Sequence, residues 1–372
     1  MEFTGSIGGL LLGYVLGVIS QALPQLTEEF GLDIQHQELV TSVQLVGCIV
    51  GSACGGYVCD WLGRKPTIFV VCGFYVIGSG FLCLATSLSL VYIGRLLTGV
   101  AIAISGVVDL AYLTETSPVP FRGAVVGTFE LMVALGLLLA YCFDYSFIAV
   151  QGGWRAMFSL PYFMALCWAT MMLYMPESPK WLLLHGREGE AKEVFICRNN
   201  SIEEALEEFE SFRSRGEGGA GGSSSGITPP HTHTHAHTLS TTEPWNPKES
   251  LASWKWSMLV SIVLMIAQNL SGHAGVLAYS VEIFKMAGYT GNVASLVTIL
   301  MGMIKVVFTI ISMYLVDRLG RKALLLIGIG SMLVSLVVLG LCIRDLTSEG
   351  DQERKQGSSN NHGTCDDSCF FN

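Results

Sequence analysis

Six polar side chains lie inside long apolar stretches of this sequence. If those stretches span a membrane, each such group is costly to place there and usually faces a cavity or a partner. Carboxylates and amides are planar hydrogen-bonding groups. Near the middle of the membrane they could therefore bind a small polar solute in a water-filled pathway. The alternative is hydrogen bonding between helices without any solute. The six are Asp109, Glu130, Gln268, Asn269, His273 and Lys305.

A second group of charged residues occupies two short turns that nearly repeat each other, DWLGRK at 60–65 and DRLGRK at 317–322. An acid, a glycine turn and two bases at helix ends can cap those ends and pair with acids on neighbouring helices. Such pairs would form when one side of the protein closes and break when it opens, which predicts a gate. The simpler alternative is that the basic turns only set topology. Candidate partners are Glu115, Glu177, Arg122 and Arg155. The predicted gate comprises Asp60, Gly63, Arg64, Glu115, Arg122, Glu177, Asp317, Gly320 and Arg321.

The elements that must position these residues are membrane helices. Of 372 residues, 51% are hydrophobic and only 14% are charged, whereas soluble domains carry roughly 25% charged residues. About 20 apolar residues cross a bilayer, and they must be helical because no water satisfies their backbone groups. The sequence therefore predicts an all-α polytopic membrane protein with runs near 5–24, 39–59, 66–85, 89–110, 123–143, 154–174, 257–285, 292–316 and 323–343.

Basic residues follow every second run, and positively charged loops stay in the cytoplasm. This bias predicts a cytoplasmic N-terminus and an exofacial C-terminal tail. The first run has no basic leader and no small-residue cleavage pattern before Glu28, which predicts a retained helix rather than a signal peptide. The predicted domains are a six-helix bundle (1–180), a cytoplasmic linker that is helical and then disordered (181–256), a partial bundle of three helices (257–343) and a polar exofacial tail (344–372).

The linker contains a Gly/Ser tract and the sequence HTHTHAH at 231–237. The Gly/Ser tract cannot bury a core and predicts a flexible chain. Alternate histidines can bind a transition metal weakly, but on a flexible chain they hold no fixed ligand geometry. Repeat expansion is therefore the favoured interpretation, and neither a metal site nor a cofactor is predicted.

Six helices separate the two repeated turns, so both lie on the same face in the same orientation, as in two parallel six-helix halves. Together with several further motifs, these turns resemble the sugar porter branch of the major facilitator superfamily. The resemblance is strongest to facilitative glucose transporters with a long exofacial loop between the ninth and tenth helices. It implies a major facilitator fold with a complete first half, a partial second half and missing last helices. The motifs are Gly94-Arg95, YLTETSP at 112–118, Arg122-Gly123, Trp154-Arg155, PESP at 176–179 and QNLSG at 268–272.

The resemblance implies a sugar site. Gln268 and Asn269 match paired seventh-helix glutamines of the family, Glu130 stands at a substrate-binding glutamine of the fifth helix, and Lys305 replaces an eighth-helix asparagine. Glu130 and Lys305 are hypothesised to neutralise one another, since an opposite pair is less costly than either charge alone. Proton-coupled relatives carry an acid at the place of Val15. The absence of an acid at this position favours passive uniport by alternating access over proton-coupled transport.

A different class of function stays open beside hexose transport. With helices missing from its second half, the chain is alternatively a non-transporting membrane protein or a modulator that associates with full-length relatives. An enzyme is not predicted, because no phosphate-binding loop, nucleophile elbow or metal motif occurs. The expected partners are a small sugar and membrane lipid, with no nucleic acid, in the plasma membrane or an endomembrane.

Overall fold

A computed structural model describes residues 2–117, 122–198, 209–210, 247–270, 272–289 and 291–362. Within these ranges the secondary structure is helical, without a β-strand. The Gly/Ser and histidine tracts of the linker, and the last ten residues, lie outside the described part. The helices are α1 Glu2–Phe30, α2 Ile34–Leu62, α3 Arg64–Cys83, α4 Leu88–Thr116, α5 Arg122–Tyr145, α6 Trp154–Leu173, α7 Pro179–Leu184, α8 Glu188–Arg198, α9 Pro247–Leu270, α10 His273–Ala278, α11 Ser280–Met286, α12 Gly291–Leu319 and α13 Arg321–His362.

Nine segments of the described chain are long and apolar enough to cross a membrane, which confirms the predicted all-α, multi-pass architecture. The seventh differs from its prediction as one continuous helix over 257–285. The chain breaks at Gly272, which has a left-handed φ of 74°, and again near Tyr279, so that α9, α10 and α11 are separate pieces. Glycine adopts a positive φ without the steric cost that a Cβ would add.

The chain divides into two compact units, Met1–Thr309 and Ile310–Asn372. In the first unit, α1 packs on α5 and α2 packs on α4 at very short range. A Cβ built on Gly136 of α5 would overlap the carbonyl oxygen of Leu10 in α1, and one on Gly13 would overlap that of Val133. Small residues at such crossings let two helix backbones touch, which is a main source of packing energy in lipid.

In the second unit, α13 carries the apolar run from Lys322 to Leu341, in which no described side chain is buried. The helix continues to His362, so the first part of the polar tail is helical. The Arg318 guanidinium lies over the Tyr314 ring, 4.5 Å from its centroid. A cation on an aromatic face is a favourable contact.

The connection between α5 and α6 is tied to α1 by the side-chain amide of Gln25. Its nitrogen donates to the carbonyl oxygens of Phe147 (3.0 Å) and Ile148 (3.1 Å), and its oxygen accepts from the backbone N–H of Trp154 (2.8 Å). One amide therefore holds both ends of this loop against the end of α1. We call this arrangement the Gln25 clamp.

The orientation can be tested with epitope tags. A tag inserted at Ser224 should be protected from an impermeant reagent in intact cells, whereas one placed after Asn372 should be reachable, because positive loops stay in the cytoplasm. Permeabilising the cells should expose the first tag and serves as the control. Labelling at Ser224 without permeabilisation would overturn the predicted orientation.

Candidate functional site

Arg64, at the first repeated turn, lies at the centre of a dense polar cluster. Its Nε and Nη2 donate to the two carboxylate oxygens of Glu115 at 2.8 and 3.0 Å, a bidentate pair, and its Nη1 donates to Asp60 at 3.2 Å. Only 9% of either the Arg64 or the Glu115 side chain is exposed, whereas Asp60 is 78% exposed. Ser178 adds a hydroxyl that donates to Glu115 at 2.6 Å. The bidentate pair thus joins the α2–α3 turn to the end of α4.

Glu177 caps the start of α3. Its carboxylate accepts from the backbone N–H groups of Arg64 (3.0 Å), Lys65 (3.1 Å) and Ser178 (2.8 Å). A carboxylate is favourable there because the first N–H groups of a helix have no partner within it and carry partial positive charge. Gly63 has a φ of 101°, and a Cβ on it would lie 2.7 Å from a Glu177 oxygen. The glycine turn is therefore required by both backbone conformation and space.

Both acids proposed as partners of the turn, Glu115 and Glu177, thus lie beside Arg64. Arg155 does not join them: it binds Glu29 at 2.7 and 3.0 Å near the end of α1. Sequence reasoning gave no sign of Ser178 as a member of the cluster. The glycine of the second turn, Gly320, also has a positive φ, of 79°. The predicted gate side chains that lie outside the described part are Arg122, Asp317 and Arg321.

Of the four predicted substrate residues, Lys305 lines a cavity, whereas Glu130, Gln268 and Asn269 lie at exposed positions. Gln268 and Asn269 lie on exposed positions of α9 just before the break at Gly272, and the Asn269 amide donates to the Met265 carbonyl oxygen at 2.9 Å. Lys305 is half-buried in α12. The side chain of His273 lies outside the described part.

Lys305 lines a cavity of about 280 Å³ whose other walls are mainly apolar. Glu130 of α5 is exposed. The charged atoms of Glu130 and Lys305 do not come within 4.0 Å, so the hypothesised neutralising pair is not a direct salt bridge in this structure. The other lining residues are Leu137, Tyr141, Leu277, Met301, Gly302 and Ile304.

A larger cavity, of about 560 Å³, lies among α1, α2, α4, α10 and α11. Arg95 and Gln44 line it and are almost wholly buried. The sequence pointed to Arg95 only as a family motif, and Gln44 was not singled out, because one polar residue in a long apolar run gives no sign of the face on which it lies. Further polar lining residues are Gln37, Glu38, Thr41, Ser42 and Glu282.

Two hydrogen bonds join the first helices to those that follow the linker. The hydroxyls of Thr41 in α2 and Tyr279 at the start of α11 are 2.9 Å apart. The Ser295 hydroxyl of α12 donates to the side-chain oxygen of Gln21 in α1 at 2.8 Å. Both lie toward the end of the bundle that the charge bias assigns to the exofacial side, which makes them a layer of contacts across that face.

Two buried acids lie in α4 and α5. Asp109, for which the sequence offered no account, accepts from the Ser105 hydroxyl at 2.5 Å on its own helix. Asp144, expected in a loop, is instead in α5 and wholly buried, and the Tyr14 hydroxyl lies 3.0 Å from its carboxyl group. No pattern could have placed Asp144 in the core, because it ends an apolar run beside polar residues.

Comparison with known proteins identifies the family to which this fold belongs. The family model described as "Sugar (and other) transporter" matches residues 1–360. The chain is a member of this family. The predicted resemblance is therefore confirmed.

Similar curated proteins differ in their named sugars. Facilitated glucose transporter member 12 of Macaca fascicularis is 31% identical over 339 residues, which cover 91% of this chain and 51% of that protein. The arabinose-proton symporter of Escherichia coli K12 is 30% identical, over 92% of this chain and 68% of that protein. This family member spans about half the length of the glucose-transporter relatives it matches.

Among solved structures, the xylose transporter XylE from E. coli in a partially occluded inward-open conformation matches with a TM-score of 0.67. The match has 23% identity and covers 87% of this chain and 74% of that one. A second XylE structure, bound to 6-bromo-6-deoxy-D-glucose, gives a TM-score of 0.70 at 23% identity, over 87% of this chain and 70% of that one. These likenesses confirm the major facilitator fold predicted for this family member.

Proposed function

We propose that this protein carries a hexose-like sugar across a membrane as a passive uniporter. The sugar would bind at mid-membrane between the first six spans and those that follow the linker, and the two groups of helices would rock around it. Family membership supports sugar as the cargo, and the relatives are named for glucose and arabinose. Uniport is favoured because Val15, buried in α1, stands at the place of the acid of proton-coupled relatives.

The observation that carries the proposal is the layer of contacts across the exofacial face. Thr41 with Tyr279, and Gln21 with Ser295, join helices on either side of the linker. Alternating access requires contacts that hold one face shut and release it when the other face closes. In this interpretation the two hydrogen bonds belong to the outer gate.

The sugar site is proposed at Glu130, Gln268, Asn269 and Lys305. The Lys305 cavity is lined mainly by apolar side chains with a few polar groups, which is the usual composition of a small-molecule site. Glu130 provides acceptors for sugar hydroxyls and Lys305 provides donors. The helix break at Gly272 supports the assignment, because transporters place substrate groups at interrupted helices near mid-membrane.

Transport can be measured on the purified chain reconstituted in liposomes. We expect influx of labelled glucose that saturates and falls when unlabelled glucose is added, and that needs no proton gradient. Flux equal to that of empty vesicles would contradict the proposal and favour the non-transporting alternative. Flux that depends on an imposed proton gradient would retain sugar transport but overturn uniport.

Replacement of Gln268 by alanine tests the site. The substitution should remove about 1–3 kcal/mol of sugar-binding free energy, because it leaves sugar hydroxyls without their partner. This corresponds to an apparent affinity roughly 5- to 150-fold weaker in the same flux assay. Met265→Ala, on an exposed position one turn earlier in α9, is the matched control and should leave the kinetics unchanged. Equal kinetics in both variants would remove Gln268 from the site.

A further inference from the structure

The cavity of about 560 Å³ contains a cation that the proposed sugar site does not use. Arg95 is 2% exposed, yet it lines this space. Its Nε donates to the Val40 carbonyl oxygen at 3.3 Å, a long hydrogen bond, and its Nη1 has no hydrogen-bond partner. No carboxylate oxygen lies within 4.0 Å of the guanidinium in the described part of the chain. The charge is therefore buried without compensation, which is strongly unfavourable.

The acids that share the cavity do not supply that compensation. Glu282 is already paired with Lys285 at 2.9 Å. Glu38 lies on an exposed position of α2, away from the buried guanidinium, with which it makes no salt bridge. A neutral solute would also leave the charge uncompensated, whereas an anion that enters from the cavity would compensate it.

A second unpartnered group faces the same space. Gln44 is 4% exposed, and its side-chain oxygen has no hydrogen-bond partner. An amide has both donors and an acceptor and can turn to suit a ligand. The side chains of Leu16 and Ile19 form an apolar part of the cavity wall. The cavity thus combines a planar cation, an adaptable amide and an apolar surface, and its volume falls within the usual range for small organic ligands.

We propose that this cavity binds a small organic carboxylate, with its two oxygens on the Arg95 guanidinium and its remaining polar atoms on Gln44. A guanidinium fork matches a carboxylate in geometry and can bind it bidentately. The site is distinct from the Lys305 cavity and does not depend on sugar transport by this protein.

The test compares glucuronate with glucose, which differ by a carboxylate in place of a primary alcohol. Binding to the purified chain is measured by titration calorimetry at constant ionic strength, with sodium acetate and sodium chloride as further ligands. We expect glucuronate to bind at least tenfold more tightly than glucose and acetate to compete with it. Arg95→Gln should abolish the preference, whereas Arg187→Gln, which removes an exposed cation outside the cavity, should keep it.

Gln44→Leu provides an independent test if the Arg95 variant does not fold. This substitution removes an unpartnered polar atom and keeps the Arg95 charge. Glucuronate affinity should fall several-fold in this variant, while acetate affinity should change little. Equal affinity for glucose and glucuronate would overturn the proposal, as would a preference that survives Arg95→Gln or is lost in Arg187→Gln. Chloride binding as tight as that of acetate would indicate an inorganic anion site and would also overturn it.

Discussion

Glu115→Ala is expected to lower the stability of the protein by about 3–5 kcal/mol, because it leaves the buried Arg64 guanidinium without its bidentate partner. Both side chains are only 9% exposed, so water cannot replace the lost carboxylate. The Ser178 hydroxyl also loses its acceptor. The expected result is a marked fall in the thermal midpoint of the detergent-purified chain, measured by the loss of monodisperse protein after heating.

Asp60→Ala is the matched control for this experiment. Asp60 pairs with the same guanidinium at 3.2 Å, but its side chain is 78% exposed. Exposed pairs contribute about 0–1 kcal/mol, since solvent screens them. The control should therefore change the thermal midpoint far less than Glu115→Ala. If the two substitutions lowered it equally, burial would not be the source of the stability of the Arg64 cluster.

Gly136→Ala is expected to have the second large effect, on the packing of α1 against α5. The new methyl group would overlap the Leu10 carbonyl oxygen, so the two helix backbones must separate. Overpacking of this kind typically costs about 1–3 kcal/mol. The same thermal assay should show a lower midpoint, and Gly136→Val should lower it further.

Gly73→Ala, in α3, makes the same chemical change where the space is open. No heavy atom outside the local helix lies within 4 Å of its Cβ position. Alanine stabilises a helix interior by roughly 0.5–1 kcal/mol relative to glycine, so this variant should hold or raise the thermal midpoint. Destabilisation of equal size at both positions would mean that close helix packing does not explain the role of Gly136.

Hydropathy alone predicted the spans, because backbone groups in lipid must be satisfied within a helix. The first repeated turn and its acids were also predictable, since an acid, a glycine turn and two bases at helix ends can pair with acids on neighbouring helices. The sequence did not show that the seventh span is broken. A glycine inside an apolar run is consistent with either a continuous helix or a left-handed break, and neighbouring residues decide between them. Gly272 adopts the left-handed conformation that breaks the helix.

Side-chain neighbours across helices were the least predictable. Lys305 and Glu130 were expected to form a pair from their depths alone, but depth does not fix rotation about the helix axis. The structure leaves their charged atoms more than 4.0 Å apart. Asp144 shows the same limit: the point at which a helix enters a loop was placed too early, and a buried acid was taken for a loop residue.

The Gln25 clamp has a mechanical consequence. Because one amide holds the carbonyl groups at 147 and 148 and the N–H of Trp154, it ties the end of α1 to the start of α6 and to the loop that follows α5. A displacement of any one of them must either carry the others with it or break at least one of these three hydrogen bonds. The connecting loop is therefore held near both of its ends by a single side chain.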